Sequence, residues 1–277
     1  MDQTLGTRVR RGVRAAEQRA HRMQRRALER RLGGVDFSGW GFLEDRGIER
    51  EDRTPYGYSP WLPIRAALRR LEPGRDDVLV DLGCGKGQAL LVAAQFPFRR
   101  VIGVEIAEDW AEDARRNAER ALPRLVCDDV RIDNSDALEW PIPDDLSVVY
   151  MYCPFTGDLF RRALDRLLDA RDSRPRPMRL VYNYPWEHNA VLATGRATVV
   201  DVRPSLWPTR PRWWMTGNVI VTYELHSQGA PRPEPLAGRG RGRAWANAME
   251  RWSGPNDTRF VQEFPGRDLP PLYSDET

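Results

Sequence analysis

Asp81, Gly83, Gly85 and Gly87 stand in the stretch VDLGCGKGQ, behind a Val- and Leu-rich run and ahead of an apolar helical pattern. Glycines at alternate positions of a strand-to-helix turn permit a tight bend and let a ligand approach the backbone. The dinucleotide spacing Gly-x-Gly-x-x-Gly would need a glycine at 88, where Gln88 stands, which argues against a nicotinamide-dependent oxidoreductase. A carboxylate two residues before the first glycine suits a ligand that carries positive charge, not a pyrophosphate. The next apolar run, VIGVEI, ends in Glu105, 22 residues after Gly83, where a carboxylate can accept both hydroxyls of a ribose. Ile106 follows and can pack on a flat base. Asp136, in NSDALEW, can accept a hydrogen bond from an exocyclic amine. The implied ligand is a cationic amino acid, a ribose and an adenine laid across three strand ends.

The elements that must position these residues are legible as an alternation. DVLVDLG, VIGVEI, DVRIDN, SVVYMYC and MRLVYNY read as strands, and QALLVAAQF, EDWAEDARRNAERAL and GDLFRRALDRLLDA as helices. ATVVDVR and NVIVTYEL look like a closing strand pair. LPIRAALRRLEPG reads as a helix, with Ser59 as N-cap, Pro60 at the first position and Pro73-Gly74 as its stop. The expected fold is α/β, a seven-stranded mostly parallel doubly wound sheet with an N-terminal basic helix and a C-terminal extension. In such a sheet ligands bind beyond the carboxyl ends of the strands.

With these residues in view, the chain resembles the class I (Rossmann-like) S-adenosylmethionine-dependent methyltransferases. VDLGCGKG resembles that family's first motif, VIGVEI its second and SDAL its third, over roughly residues 54 to 225. The resemblance implies S-adenosyl-L-methionine as cofactor. It places Asp81 and the Gly83, Cys84, Gly85 and Gly87 backbone against the methionine part, Glu105 and Ile106 at the ribose and base, and Asp136 with Ala137 at the adenine. Tyr152 is counted with the cofactor pocket.

Methyl transfer is an in-line displacement, so the protein must align an acceptor and exclude water. YMYCPFTGD resembles the Asn/Asp-Pro-Pro-Tyr/Phe motif of amino methyltransferases, with Cys153 at the polar position and Phe155 after Pro154. Cysteine accepts hydrogen bonds poorly, so Cys153 is weighed instead as a nucleophile or as pocket lining. Asn183 and His188, in YNYPWEHNA, join Cys153 as the catalytic candidates, His188 as a general base. Tyr56, Tyr58, Phe155, Trp186, Trp207, Trp213 and Trp214 are the candidate acceptor wall, the last three with Arg210 and Arg212 in a loop between the sixth and seventh strands. Tyr56 and Tyr58 would form a lid. No metal site is expected.

The 277 residues carry a net charge of +3, and residues 8–31 hold ten Arg against two Glu, +8, so the remainder is at −5. Val9, Val13, Ala16, Ala20, Met23 and Ala27 lie on one narrow helical stripe of that arm. The expected organisation is a basic amphipathic arm over 1–33, a Gly-rich linker over 34–53, the methyltransferase domain over 54–227 and a Pro/Gly/Arg-rich extension over 228–277, with AWANAMERW as a short helix. Three scattered cysteines and no apolar run long enough to span a membrane point to a reducing cytoplasm. The leading reading is methyl transfer to N or O of a small molecule or protein side chain. Its alternatives are an RNA or DNA methyltransferase anchored by the Arg arm, and a scaffold that binds the cofactor without catalysis.

Overall fold

The run VLVDL forms β1 (Val78–Leu82), buried along its whole length because it holds the middle of a sheet with parallel neighbours on both sides. Those neighbours are β2 (Arg100–Glu105) and β4 (Val148–Tyr152). β3 (Val130–Asn134) and β5 (Met178–Asn183) continue the parallel sheet outward. β7 (Ile220–Leu225) lies antiparallel between β5 and β6 (Ala197–Arg203), so β6 runs in the direction of the first five. The order is β3-β2-β1-β4-β5-β7-β6, the expected seven-stranded, mostly parallel sheet with its closing pair. Chain order reverses between β1 and β4, which opens a crevice at their carboxyl ends. This computed structural model describes residues 19–20, 22–49, 52–59, 61–173, 176–203 and 220–230.

Helices cover both faces, as period-2 alternation within buried strands requires. Val78, Val80 and Leu82 point with Val149 and Met151 to one core, which α5 (Gly157–Ser173) fills with Phe160, Leu164 and Leu167 and α6 (His188–Ala193) with Val191. Leu79, Val101, Val148 and Val181 point to the other. There α2 (Trp61–Arg70) supplies Ile64 and Leu68, α3 (Gln88–Ala93) supplies Leu90 and Leu91, and α4 (Glu108–Ala121) supplies Ala118 and Ala121.

The arm and the segment after it differ from expectation. Residues 22–31 are helical (α1), but the part of the apolar stripe that falls on them faces water: Met23 is 71% exposed, and Ala27 is exposed. The helix docks instead through Leu28 and Leu32, both buried in the second core, since two leucines four apart bury far more apolar surface than alanines do. The Gly-rich segment after it is packed rather than slack. Val35 and Phe37 are buried against α1 and α2, and buried Asn117 of α4 receives the Asp36 N–H at 2.9 Å and donates to the Asp36 carbonyl at 2.8 Å. Val9, Val13 and Ala16, the Trp207, Trp213 and Trp214 loop with Arg210 and Arg212, and the AWANAMERW stretch lie outside the described residues.

Candidate functional site

The three glycines all take left-handed backbone, with φ of 74° at Gly83, 52° at Gly85 and 82° at Gly87, which explains their type. The space that they free goes to the protein itself. A Cβ at Gly85 would stand 2.4 Å from the Tyr56 ring, one at Gly83 2.6 Å from Pro154 and one at Gly87 3.3 Å from Ala114. Sequence reading gave all that room to a ligand; the structure gives it to packing partners, so the case for a ligand rests on the charges around the loop.

Two carboxylates are buried there. Asp81, on β1, is 2% exposed and Glu105, at the end of β2, 4%. Asp81 accepts a backbone N–H from Leu90 in the first turn of α3, yet burial, with the Glu105 charge nearby, raises its pKa to about 8. Glu105 accepts the Gly85 N–H at 2.8 Å on one oxygen and the Ala107 N–H at 2.9 Å on the other. Burial still outweighs these bonds and lifts its pKa above the ordinary carboxylate value. Neither acid forms an ion pair with a described residue. The Ile106 N–H also bonds to this carboxylate, which leaves Glu105 about one lone pair for a further donor. Cys84 is buried in the loop, its thiol pushed well up by burial. Ile106 is half-buried beside Leu43, Ala107 and Trp110.

A strap from the N-terminal segment crosses this edge, and sequence reasoning missed most of it. Arg46 grips Asp109 of α4 through Nε at 2.7 Å and Nη2 at 2.7 Å, with its guanidinium 4.0 Å from the Trp110 ring centre. Tyr56 lies 5.0 Å from that ring and donates its hydroxyl to the Phe37 carbonyl at 3.1 Å. The Tyr56 ring therefore packs directly over Gly85 of the glycine loop. Arg53 forms an ion pair with Asp136 at 3.0 Å, and the other Asp136 oxygen accepts the Leu138 N–H at 2.8 Å. Asp136 thus sits at the third strand end as expected, but already paired; only its far-off partner was illegible. Ala137 is half-buried beside it and packs on the core. Thr54 donates to the Cys153 carbonyl at 2.5 Å and fastens the strap to the end of β4.

The ends of β4 and β5 are aromatic. Tyr152 and Tyr184 meet edge to face at 6.4 Å, and Tyr184 and Trp186 lie 5.6 Å apart. All three are partly exposed. Cys153 and Tyr184 directly follow β4 and β5, and both are non-glycine residues in left-handed backbone, φ 42° and 56°. Such residues cost of order 1–3 kcal/mol each and gather where function fixes the backbone. Phe155 is buried in the first core and bridges to Arg53 of the strap. Buried Asn183 donates from its amide to the Tyr150 hydroxyl at 3.0 Å.

Two of the catalytic candidates, Cys153 and His188, are buried. Burial pushes the Cys153 thiol up to about 12, with the Glu187 charge adding to it; Tyr182 donates to its sulfur at 3.9 Å. A nucleophilic thiolate needs a nearby cation, and the structure supplies an anion. His188 is 2% exposed with Nδ1 2.5 Å from the Tyr223 hydroxyl, inside the sheet's core, and burial lowers its pKa to about 4. It is a buried packing residue, neither a surface group nor a base at the edge. Tyr58 is buried in the strap, its ring 5.0 Å from the Arg25 guanidinium. Among the described residues, no cluster could hold a metal ion and no helix is long and apolar enough to cross a membrane.

Comparison with known proteins bears on what this edge does. Residues 79–170 match the family described as a methyltransferase domain. A protein-lysine N-methyltransferase of Saccharolobus islandicus (strain REY15A) is 34% identical over 68 residues, which are 24% of this chain and 42% of that protein. This chain therefore spans less than half the length of that relative. Among solved structures, the magnesium protoporphyrin IX methyltransferase of Synechocystis PCC 6803 is similar at 15% identity, covering 60% of this chain and 79% of that one, with a TM-score of 0.43. An RNA methyltransferase of Salinibacter ruber is similar at 22% identity, covering 64% and 97%, with a TM-score of 0.39.

Proposed function

We propose that this chain, whose residues 79–170 match the family described as a methyltransferase domain, is S-adenosylmethionine-dependent and transfers a methyl group to an amine on a protein side chain. The observation that carries the cofactor half is the pair of buried acids, Asp81 and Glu105, with no cation paired to either among the described residues. Two acids held out of water, with burial keeping a proton on Asp81 near pH 7 until a cation arrives, suit a cationic ligand, and the cofactor's methionine end brings an ammonium and a sulfonium. When bound, it supplies an electrophilic methyl. Asp81 would hold the ammonium, Glu105 a ribose hydroxyl through its remaining lone pair, and Tyr56 would roof the loop and keep water out.

For the acceptor, the aromatic rim of Tyr152, Tyr184 and Trp186 supports an amine. Ring faces attract an alkylammonium before it loses its proton and still pack on its methylene stem afterwards. The likeness to the archaeal protein-lysine N-methyltransferase supports the same class. Cys153 contributes backbone shape here, and its carbonyl is already taken by Thr54. Water at the partly exposed rim takes the ammonium proton; the free amine then attacks the methyl as the carbon–sulfur bond breaks, and the rim's part is to align the nitrogen.

One observation favours nucleic acid instead. Burial, then the neighbouring charges of Arg31 and Arg69, holds Arg65 below the usual arginine range, so arginines of α1 and α2 converge on one flank. Phosphate binding there would make affinity fall steeply with salt.

Calorimetric titration of the full chain with S-adenosylmethionine tests the cofactor half. Stoichiometric binding that Asp81→Asn weakens at least tenfold is expected. Heat-silent titration with no thermal stabilisation would overturn the reading.

A further inference from the structure

We infer that Arg25 of α1 binds the α-carboxylate of the cofactor, so that the basic arm is in part a wall of the cofactor site; the inference rests on the function proposed above. Arg25 is 7% exposed on a helix whose Arg26, Arg30 and Arg31 are all exposed. Its Nε is buried with no hydrogen-bond partner among the described residues. The Glu29 carboxylate stands 3.5 Å from that nitrogen, and the oxygen it turns toward Arg25 already accepts the Phe37 N–H at 3.1 Å. Buried guanidiniums ordinarily sit in paired, two-pronged bonds to an anion. The Nε of Arg25 has the burial without such a bond.

Its surroundings are those of the glycine loop. The guanidinium lies 5.0 Å from the centre of the Tyr58 ring. Next to Tyr58, Ser59 exchanges two hydrogen bonds with Gln88, 2.8 Å from its N–H and 2.7 Å to its carbonyl. Gln88 is the first residue of α3, directly after Gly87. The Arg25 charge also acts on Tyr56, whose ring covers Gly85. A methionine end held at this loop is a zwitterion. Asp81 and Glu105 answer its cations, and the carboxylate requires one cation in return. Other basic side chains around the site already hold carboxylates: Lys86 with Asp113 at 3.2 Å, Arg53 with Asp136 at 3.0 Å and Arg46 with Asp109 at 2.7 Å.

The test compares S-adenosylmethionine with its decarboxylated analogue, which keeps the amine and sulfonium and lacks the carboxylate. Both are titrated by calorimetry into the full chain, into Arg25→Met, which keeps the length of the side chain, and into Arg25→Lys, which keeps the charge. The native chain is expected to prefer the carboxylated form at least tenfold. In Arg25→Met that preference should disappear, with the analogue's affinity changed less than twofold, and Arg25→Lys should keep an intermediate preference. Should Arg25→Met not fold, Arg25→Lys and the native preference decide. Equal weakening of both ligands, or a native chain indifferent to the carboxylate, overturns the inference while leaving cofactor binding intact. A native chain that binds neither ligand overturns the proposed function, and the inference with it.

Discussion

Asp81→Asn should make the ligand-free protein more stable and the cofactor complex weaker. The folded pKa of Asp81, about 8, lies well above the 3.8 of a free aspartate. A raised acid pKa contributes stability that is fully present below pH 3.8 and is lost as pH rises through about 8. At about 1.4 kcal/mol per unit, the loss reaches about 4 kcal/mol at pH 7 and about 6 kcal/mol above pH 9. Asparagine keeps a carbonyl for the Leu90 N–H and has no charge to bury. The variant should therefore match the native chain near pH 4 and gain at least about 2 kcal/mol at pH 7, or about 4–8 °C in melting temperature for a chain of this size. Urea and thermal melts at pH 4, 6, 7 and 8 measure the gain. Cofactor binding should be weaker at every pH, since the anion facing the ammonium is gone. In the native protein near pH 7 binding should release about one proton, read from heats in two buffers of different ionisation enthalpy. A gain that does not grow with pH, or an Asn variant less stable at pH 8, would refute the reasoning.

Glu105→Ala removes the acceptor of the Gly85 and Ala107 amides, and cofactor affinity should fall by more than roughly 1.5 kcal/mol, the low end for a charge-assisted hydrogen bond; an unchanged dissociation constant in the folded variant takes Glu105 out of the site. Leu28→Ala opens the fully buried joint between α1 and the second core and should cost about 2–5 kcal/mol in urea melts, whereas an arm that merely decorates the surface would give no change. Cys153→Ala should keep methyl transfer within a few-fold of native, because a thiol held near 12 is not a nucleophile; loss of transfer by orders of magnitude in a folded variant would restore the nucleophile.

The sheet was legible because its strands are apolar runs and its helices carry a 3.6-residue period, so β1 with its glycine turn and the acids at three strand ends could be placed by counting. What escaped was decided by contacts between residues far apart in the chain. Arg53 reaches Asp136 across 83 positions, and neither residue's neighbours signal the pairing. Glycines in VDFSGWGF suggested slack, while Val35 and Phe37 among them were already core residues. Charge dominated the reading of the arm, so a narrow apolar stripe through Met23 and Ala27 was preferred to the Leu28 and Leu32 pair that buries more area. His188 read as an edge residue because it follows β5 by five positions; the short helix it begins turns its ring inward to Tyr223.

Transfer of a labelled methyl group tests the central claim most directly. The full chain is incubated with methyl-labelled S-adenosylmethionine and extract of the source cell, the macromolecules are separated from small molecules, and the macromolecular fraction is digested with protease or with nuclease. The account expects label that protease releases and that acid hydrolysis recovers on a methylated amino side chain. Label released by nuclease, label confined to small molecules, or no transfer by a chain that binds the cofactor would contradict it.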